Sequence, residues 1–321
     1  MSEHDLPEPR FWSPRRANGD LRWSWYVLEA ALRCDRRFQL SVLQDLVPLD
    51  SKPALAIGSA FHYGMEAAWR SVREGQRDPY ACLRHAKRAA QTYPWAGGFE
   101  RAEARRLLEA YWWGTAAGHG GPRDLAEWEV LGVEETVGGR IGPEQVPWEA
   151  RLDLRVQVHE PAPRVFHGIW AVNWKTAHRV EEGTFGNASR TGQFLAEAVA
   201  CRAAGLGVRG LILAIITKER TPTVFRDYVT WQDHQIAEAE SDIAHRVVGL
   251  QARVESGEKR WPVNLHGCTD RYGRCPYWDY CEDPALAQPL YGPRPQAQAL
   301  QALLTEPEEE YSFPEGYRWD A

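Results

Sequence analysis

The sequence predicts an α/β protein whose mixed sheet is flanked by helices, with a mainly helical amino-terminal part and a cysteine-rich carboxyl-terminal segment. Apolar residues recur at three- and four-residue steps between residues 23 and 117, which is the period of a helix. From residue 128 onwards they alternate with polar residues or form short β-branched runs, as in strands. Three cysteines then follow one another closely between residues 268 and 281.

In chain order, helices are predicted over residues 23–46, 57–73, 79–92 and 99–117, and Cys34 falls inside the first of them. Three strands follow, over residues 128–137, 148–158 and 165–175, and we expect them to form a meander. A helix over residues 190–204 precedes strands over residues 208–217 and 223–231. A long polar-faced helix over residues 232–256 leads into the cysteine segment.

These elements divide the chain into five parts. They are a flexible leader (1–20), a helical part carrying Cys34 and His62 (21–122), a sheet-bearing core (123–235), a helix with a cysteine clasp (236–282) and a flexible tail (283–321). The leader is rich in proline and charge, and the tail in proline, glutamine and glutamate. Such compositions disfavour regular structure.

Composition narrows the classes of protein. The chain has 321 residues, of which 44% are hydrophobic and 26% charged, as in ordinary globular proteins. A net charge of −6 argues against coating nucleic acid by bulk charge, although it leaves room for a local basic groove. The longest apolar run, residues 211–216, is far below the ~20 residues of a membrane span, and the acidic start is unlike a secretory signal. We therefore expect no membrane association, a cytoplasmic location and reduced cysteines.

Polar residues stand at regular positions on one predicted helix and on two predicted strands. His62 and Glu66 are one helical turn apart, an arrangement that is also common on helix surfaces. In strands of period two, Asp153 shares a face with Arg151 and Arg155, while residues 173 and 175 share another. Two such strands would direct an acid, an amide and an amine into one cleft, or an edge strand would direct them into water. Between residues 173 and 175, a tryptophan should point to the opposite face and pack there.

Together with the order of helices and strands, these residues resemble the PD-(D/E)XK nuclease superfamily, specifically its RecB-like branch. That branch has Gly-x-x-x-His on a helix, Asp on one strand, (Asp/Glu)-x-Lys on the next and Gln on the following helix. The matching residues in this sequence are His62, Asp153, Asn173, Lys175 and Gln193, within a resemblance that spans about residues 21–281. The resemblance implies a restriction-endonuclease-like sheet, with the nuclease core at residues 123–235.

The resemblance also implies roles for these residues. His62, Asp153 and Asn173 would hold Mg²⁺ or Mn²⁺, for which oxygen ligands are suited. Lys175 would orient or activate the water that attacks a phosphodiester, and Gln193 would position the lysine, the water or the phosphate.

Asn173 departs from the family pattern, which has an acid at this position. An amide oxygen can still bind a cation, but the site loses a negative charge, so metal affinity and water activation should fall. Three explanations are open: a naturally weak or inactive member that still binds DNA, a variant that traps substrate, or another carboxylate acting instead. For the last, the candidate is Glu197, which lies four residues after Gln193 on the same helix face, where RecB-like proteins usually have tyrosine. We favour a weakened or trapped site.

The four cysteines Cys34, Cys268, Cys275 and Cys281 form a second pattern, with one residue near the amino terminus and three near the carboxyl terminus. In RecB-like nucleases that carry an iron–sulfur cluster, including phage-encoded and CRISPR-adaptation relatives, cysteines in this order hold a [4Fe–4S] cluster that joins the two ends of the domain. The resemblance implies the same here. Zn²⁺, which also accepts four thiolates, is the alternative, although its sites more often contain C-x₂₋₄-C pairs. The two other cysteines, Cys82 and Cys201, lie on apolar helix faces and are predicted to belong to the core.

The function expected from the resemblance is a Mg²⁺- or Mn²⁺-dependent deoxyribonuclease acting on DNA ends or single strands in recombination, repair, phage replication or CRISPR adaptation. Its location would be the cytoplasm of a prokaryotic or phage-infected cell. The alternatives are a non-catalytic DNA-binding or adaptor subunit that keeps the fold and cluster, and a structural partner that binds another protein through its acidic surface or its tail. Candidates for a local DNA-binding groove are Arg33, Arg36, Arg37, Arg151, Arg179 and Lys218.

Overall fold

The computed structural model describes residue 14 and residues 19–49, 53–113, 120–181, 183–185, 187–259, 261–270 and 273–293. Most of the predicted leader, the end of the helix predicted over residues 99–117 and the tail from residue 294 lie outside these ranges. None of the helices in the described ranges is long and apolar enough to cross a bilayer.

The helices that the structure describes are α1 Trp25–Arg33, α2 Asp35–Phe38, α3 Pro53–Arg73, α4 Pro79–Gln91, α5 Gly98–Trp113, α6 Gly121–Glu127, α7 Gly192–Ala203, α8 Asp233–Glu255, α9 Trp278–Glu282 and α10 Pro284–Ala287. The strands are β1 Leu46–Pro48, β2 Trp128–Ile141, β3 Val146–Val158, β4 Gly168–Ala177, β5 Val208–Thr217, β6 Val224–Val229, β7 Thr269–Asp270, β8 Gly273–Arg274 and β9 Tyr291–Pro293. A π-helical turn, Gln39–Leu43, follows α2 directly.

Five strands, in the order β2-β3-β4-β5-β6, form the central sheet. β2, β3 and β4 are an antiparallel meander, as predicted, whereas β5 runs parallel to β4 and β6 antiparallel to β5. Helix α7 makes the crossover that a parallel β4–β5 pair requires. β5 is buried along nearly its whole length, which is why its sequence is a continuous apolar run. The predicted mixed sheet flanked by helices is confirmed.

Helices cover both faces of this sheet and create two hydrophobic cores. One lies under α3, α4 and α5, where Trp174 stacks on Trp69 with ring centroids 6.3 Å apart, which confirms that this strand tryptophan packs away from its polar neighbours. Gly64 allows this close packing, because a Cβ atom there would lie 2.6 Å from a methyl carbon of Leu108. The other core lies under α1, α7 and α8. Side chains of α3 on one face and of α7 on the other can therefore reach the cleft that was predicted between the strands of Asp153 and Lys175, which are β3 and β4.

Two predictions about the ends of the domain are corrected. Cys34 is not inside a helix: its φ of −168° is extended and it separates α1 from α2. The apolar period continues on both sides of Cys34, so it cannot reveal one extended residue. The segment expected to be flexible from residue 283 begins with α10 and β9, and β9 pairs with β1 between Leu46 and Pro293. A three-residue strand with so distant a partner carries no local sequence signal.

Candidate active site

The site forms where β3 and β4 separate. Leu154 and Val172 are the last paired residues of the two strands on this side. Next to them, Oδ2 of Asp153 accepts a hydrogen bond from the main-chain N–H of Trp174 at 2.9 Å, in the place of a strand partner. Nδ1 of His62, from α3, lies 3.4 Å from the same oxygen. One carboxylate thus joins a helix and two strands.

Both β2 and β3 change the face that they present at this level of the sheet. Leu152 packs into the core under α7, whereas Leu154, two residues later, packs into the core under α3. Glu134 of β2 lies opposite Asp153, between the pairs Val133–Leu154 and Glu135–Leu152, and has a left-handed φ of 48°. Such a residue interrupts the alternation of a strand.

The change of face corrects the prediction that Arg151 and Arg155 share one side with Asp153. Nε of Arg151 lies 2.5 Å from a carboxylate oxygen of Glu134, beside the cavity described below. Arg155 instead pairs with Glu135 at 2.9 Å, on the face covered by α7. The side-chain alternation predicted for β3 is correct up to Asp153 and wrong beyond it, because β2 and β3 both change the face that they present at Glu134 and Asp153.

A cavity of about 490 Å³ opens beside these residues. Its lining combines acidic, basic and imidazole groups with apolar and aromatic side chains. The lining residues are Ala54, Leu55, Gly58, Ser59, His62, Tyr63, Glu66, Tyr93, Trp95, Glu134, Arg151, Asp153, Lys175 and Thr176. Of the six cations proposed for a DNA-binding groove, Arg151 alone lines this cavity.

The ligand atoms of His62, Glu134 and Asp153 all lie within 4.8 Å of one another. Within the described ranges, they form the one such group of three or more His, Cys, Asp or Glu side chains. One imidazole nitrogen and two carboxylates suit Mg²⁺ or Mn²⁺, so the donor set fits the cation that the family pattern implies. Glu134 is not among the residues predicted from the sequence, because strand alternation gives no reason to place it near Asp153.

The burial of this group affects its protonation. Desolvation lowers the pKa of His62, despite the opposing effect of the Asp153 charge, so that the imidazole is neutral and able to bind a cation. Burial, together with repulsion from Asp153, raises the pKa of Glu134 to about 8. A bound cation would favour the ionised form of Glu134.

A second set of side chains connects Lys175 to α7. Nζ of Lys175 donates to Oε1 of Gln193 at 3.2 Å, and Nε2 of Gln193 donates to Oε1 of Glu197 at 2.9 Å. Nδ2 of Asn173 donates to the same Glu197 oxygen at 3.3 Å. Burial raises the pKa of Glu197 to about 7. The chain of hydrogen bonds fixes the lysine with respect to the helix.

The structure therefore brings some of the predicted residues together and separates one of them. His62, Asp153 and Lys175 line the cavity, and Gln193 is one hydrogen bond away. Asn173 is only 2% exposed and does not line the cavity. Its Oδ1 atom and Oε2 of Glu197 are both buried and have no hydrogen-bond partner among the residues that the structure describes.

The four cysteines predicted to act together lie around one loop. The main-chain N–H of Asn264 donates to Sγ of Cys34 at 3.3 Å, and the thiol of Cys268 donates to the carbonyl oxygen of Asn264 at 3.6 Å. The main-chain N–H of Cys275 donates to the carbonyl oxygen of Cys268 at 2.8 Å. The pKa of Cys281 is raised, first by desolvation, and the three other thiols contribute to the shift, so all four lie within electrostatic range.

Contacts between ordinary residues also hold the two ends of the domain together. The hydroxyl of Tyr277 donates to the carbonyl oxygen of Leu46 at 2.7 Å, and an ion pair joins Arg253 to Asp35 at 3.0 Å. Gly267 lies so close to α1 that a Cβ atom would be 2.2 Å from the carbonyl oxygen of Arg33. Away from this region, Cys82 and Cys201 are buried in the core, as predicted.

Comparison with known proteins agrees with this geometry. A family profile of the PD-(D/E)XK nuclease superfamily matches residues 22–282. No curated protein matches the chain. A solved structure of a candidate exonuclease from Eubacterium rectale is 13% identical, with a TM-score of 0.47 over 81% of this chain and 87% of that one. Because the profile covers most of its length, the chain belongs to the PD-(D/E)XK nuclease superfamily.

Proposed function

We propose that the protein is a Mg²⁺- or Mn²⁺-dependent deoxyribonuclease of the RecB-like branch that hydrolyses phosphodiesters at DNA ends or in single strands. The observation that carries the proposal is the position of His62 and Asp153, 3.4 Å apart, on a cavity that Lys175 also lines. A neutral imidazole and a carboxylate can hold a divalent cation, and an ammonium group beside them can stabilise charge on a phosphate during metal-assisted hydrolysis.

Each of these side chains has a role that follows from its surroundings. His62 and Asp153 would hold the cation, which when bound stabilises charge on the phosphate and lowers the pKa of a water molecule. The main-chain N–H of Trp174 keeps the Asp153 carboxylate in one orientation. Lys175 orients the attacking water or a phosphate oxygen, and Gln193 holds Lys175 in place through its Oε1 atom.

The family pattern assigns Asn173 a part in cation binding, and its Oδ1 atom is buried and accepts no hydrogen bond from the described residues, but Asn173 does not line the cavity. As a neutral ligand it would be weaker than the acid of the family pattern. The absence of an acid at position 173 also favours the second candidate function, a DNA-binding or adaptor subunit that keeps the fold and has lost hydrolysis.

We also propose that Cys34, Cys268, Cys275 and Cys281 hold a [4Fe–4S] cluster, whose chemistry here would be structural, as a cross-link between the ends of the domain. Four thiols around one loop support this. Zinc is disfavoured because its four-thiolate sites more often contain C-x₂₋₄-C pairs than the six- and five-residue spacings between Cys268, Cys275 and Cys281.

The two candidate functions differ in a cleavage experiment with end-labelled linear and closed circular single-stranded DNA. With Mn²⁺, the nuclease degrades the linear substrate, EDTA stops the reaction, and the circle persists if ends are required. Lys175→Ala should keep DNA affinity and lose cleavage. Salt-dependent binding without cleavage in Mg²⁺ or Mn²⁺ would instead identify the adaptor.

A further inference from the structure

Position 173 lacks a charge, yet a carboxylate that the family pattern does not predict lies at the site. We propose that Glu134 supplies the acidic ligand that the pattern places at position 173, so that the cation is held by His62, Glu134 and Asp153. The inference rests on the proposed function and names the residues of that same site. It implies that the sequence as it stands has a complete cation site.

The position of Glu134 in the sheet brings it close to Asp153. Glu134 lies opposite Asp153 on the neighbouring antiparallel strand, and directly opposite residues are the closest that two strands bring together. Both side chains line the cavity, and their oxygens lie within 4.8 Å of each other and of the His62 nitrogen. Asn173, in contrast, does not line the cavity.

The backbone of β2 has an unusual conformation at Glu134. Three described residues other than glycine have a positive φ, and Glu134 is the one that lies within a strand. Val133 packs into the core under α3 and Val137 into the core under α7, although residues four apart in a regular strand share a face. The left-handed residue between them accounts for the change and directs the Glu134 carboxylate to the cavity.

The two acids that could replace the missing charge, Glu134 and Glu197, differ in the partners that they have in this structure. Arg151 pairs with Glu134 at 2.5 Å and also lies 4.0 Å from Oε2 of Glu66, a second acid to which it can turn when a cation binds. Oε1 of Glu197 already accepts hydrogen bonds from Gln193 and Asn173, and Glu197 does not line the cavity. Glu134 is therefore better placed than Glu197 to replace the missing acid.

The test is a Mn²⁺ titration of the whole protein in the absence of DNA. Binding is measured by calorimetry and by the electron paramagnetic resonance signal of free Mn²⁺. Glu134→Gln should weaken Mn²⁺ binding at least about tenfold, the scale on which loss of groups around a metal lowers affinity. Its matched control, Glu135→Gln, removes the adjacent carboxylate on the other face and should bind Mn²⁺ like the unmodified protein. Glu197→Gln should do the same.

A second variant guards against misfolding. Glu134→Gly removes the carboxylate at a backbone conformation that glycine adopts readily, so it should stay folded and also lose Mn²⁺ affinity. Unchanged affinity in both Glu134 variants, or a tenfold loss in Glu197→Gln instead, would overturn the inference. Cleavage of DNA is measured separately: Glu134-dependent binding without cleavage refutes the nuclease function alone, and cleavage with Glu134-independent binding refutes the inference alone.

Discussion

Glu134 and Asp153 lie directly opposite each other on antiparallel strands, and both strands change the face that they present at this pair. The arrangement places two carboxylates beside an imidazole in a partly buried cavity. Arg151 pairs with Glu134, but the two close carboxylates still repel each other, and burial adds to the cost of ionising them. A divalent cation removes both penalties, which links the strand geometry to the chemistry proposed for the site.

Stability of the metal-free protein should fall as the pH rises. Burial raises the folded-state pKa of Glu134 to about 8 and of Glu197 to about 7, above the ordinary value of 4.5. At these two carboxyls the folded state therefore holds more protons than the unfolded state, so their contribution to stability decreases from about pH 4.5 to about pH 8, by up to several kcal/mol. The lowered pKa of His62 opposes this effect only below the ordinary histidine value of 6.5. Urea unfolding in EDTA at a series of pH values measures this.

Two comparisons make that result specific. Glu134→Gln should flatten the pH dependence, because the amide does not ionise, and Mn²⁺ should restore stability at pH 8 in the unmodified protein. A stability that rises with pH in EDTA, or an equally steep loss in Glu134→Gln, would contradict the protonation behaviour described for the site.

Gln193→Ala should lower the turnover number about tenfold or more and leave DNA affinity within about twofold. The change removes the acceptor that fixes Lys175 Nζ, and catalysis depends on such positioning more than binding does. Single-turnover cleavage and DNA titration measure the two effects. Gln251→Ala, on the exposed side of α8, is the control and should change neither. Equal losses of affinity and rate would indicate a general structural defect in place of a positioning role.

Asn173→Asp should destabilise the fold by about 1–3 kcal/mol, because it places a second carboxylate against Glu197 and removes the amide donor. Adding Glu197→Gln should recover most of the loss, since glutamine can donate to the new carboxylate. Thermal unfolding of the single and double variants tests this coupling. An increase in nuclease activity of several orders of magnitude in Asn173→Asp would show that residue 173 is the defective ligand, contrary to the role proposed for Glu134.

Anaerobically purified protein should be brown and contain about four irons per chain.

After the cluster is removed, alkylation in the native state should modify Cys268, Cys275 and Cys281 and spare Cys82 and Cys201. Burial raises the pKa of the Cys82 thiol to about 11 and that of Cys201 to about 12, so neither forms a reactive thiolate. Mass spectrometry of the alkylated peptides gives the pattern. A colourless protein with one equivalent of zinc would refute the cluster.

The sequence predicted those parts of the structure that depend on regular alternation and periodicity. β5 was predicted over residues 208–217 and forms there, since a strand buried on both faces is a continuous apolar run. The hydrogen bond between Lys175 and Gln193 corresponds to one of the three roles that the family resemblance left open for Gln193, namely positioning the lysine, the water or the phosphate. Glu134 could not be predicted, because one left-handed residue reverses the faces of a strand without any distinct composition. Cys34 was misplaced for a related reason, since one extended residue does not disturb a helical period.

The nuclease function is tested most directly by single-turnover cleavage of end-labelled single-stranded DNA in Mn²⁺, comparing the unmodified protein with Asp153→Asn and with Asp242→Asn, a control on the exposed face of α8. We expect the unmodified protein and the control to hydrolyse the DNA at similar rates, and Asp153→Asn to be slower by at least about a thousandfold while its DNA affinity stays similar. Cleavage by Asp153→Asn at the rate of the unmodified protein, or DNA binding without cleavage by the unmodified protein in both Mg²⁺ and Mn²⁺, would contradict this expectation.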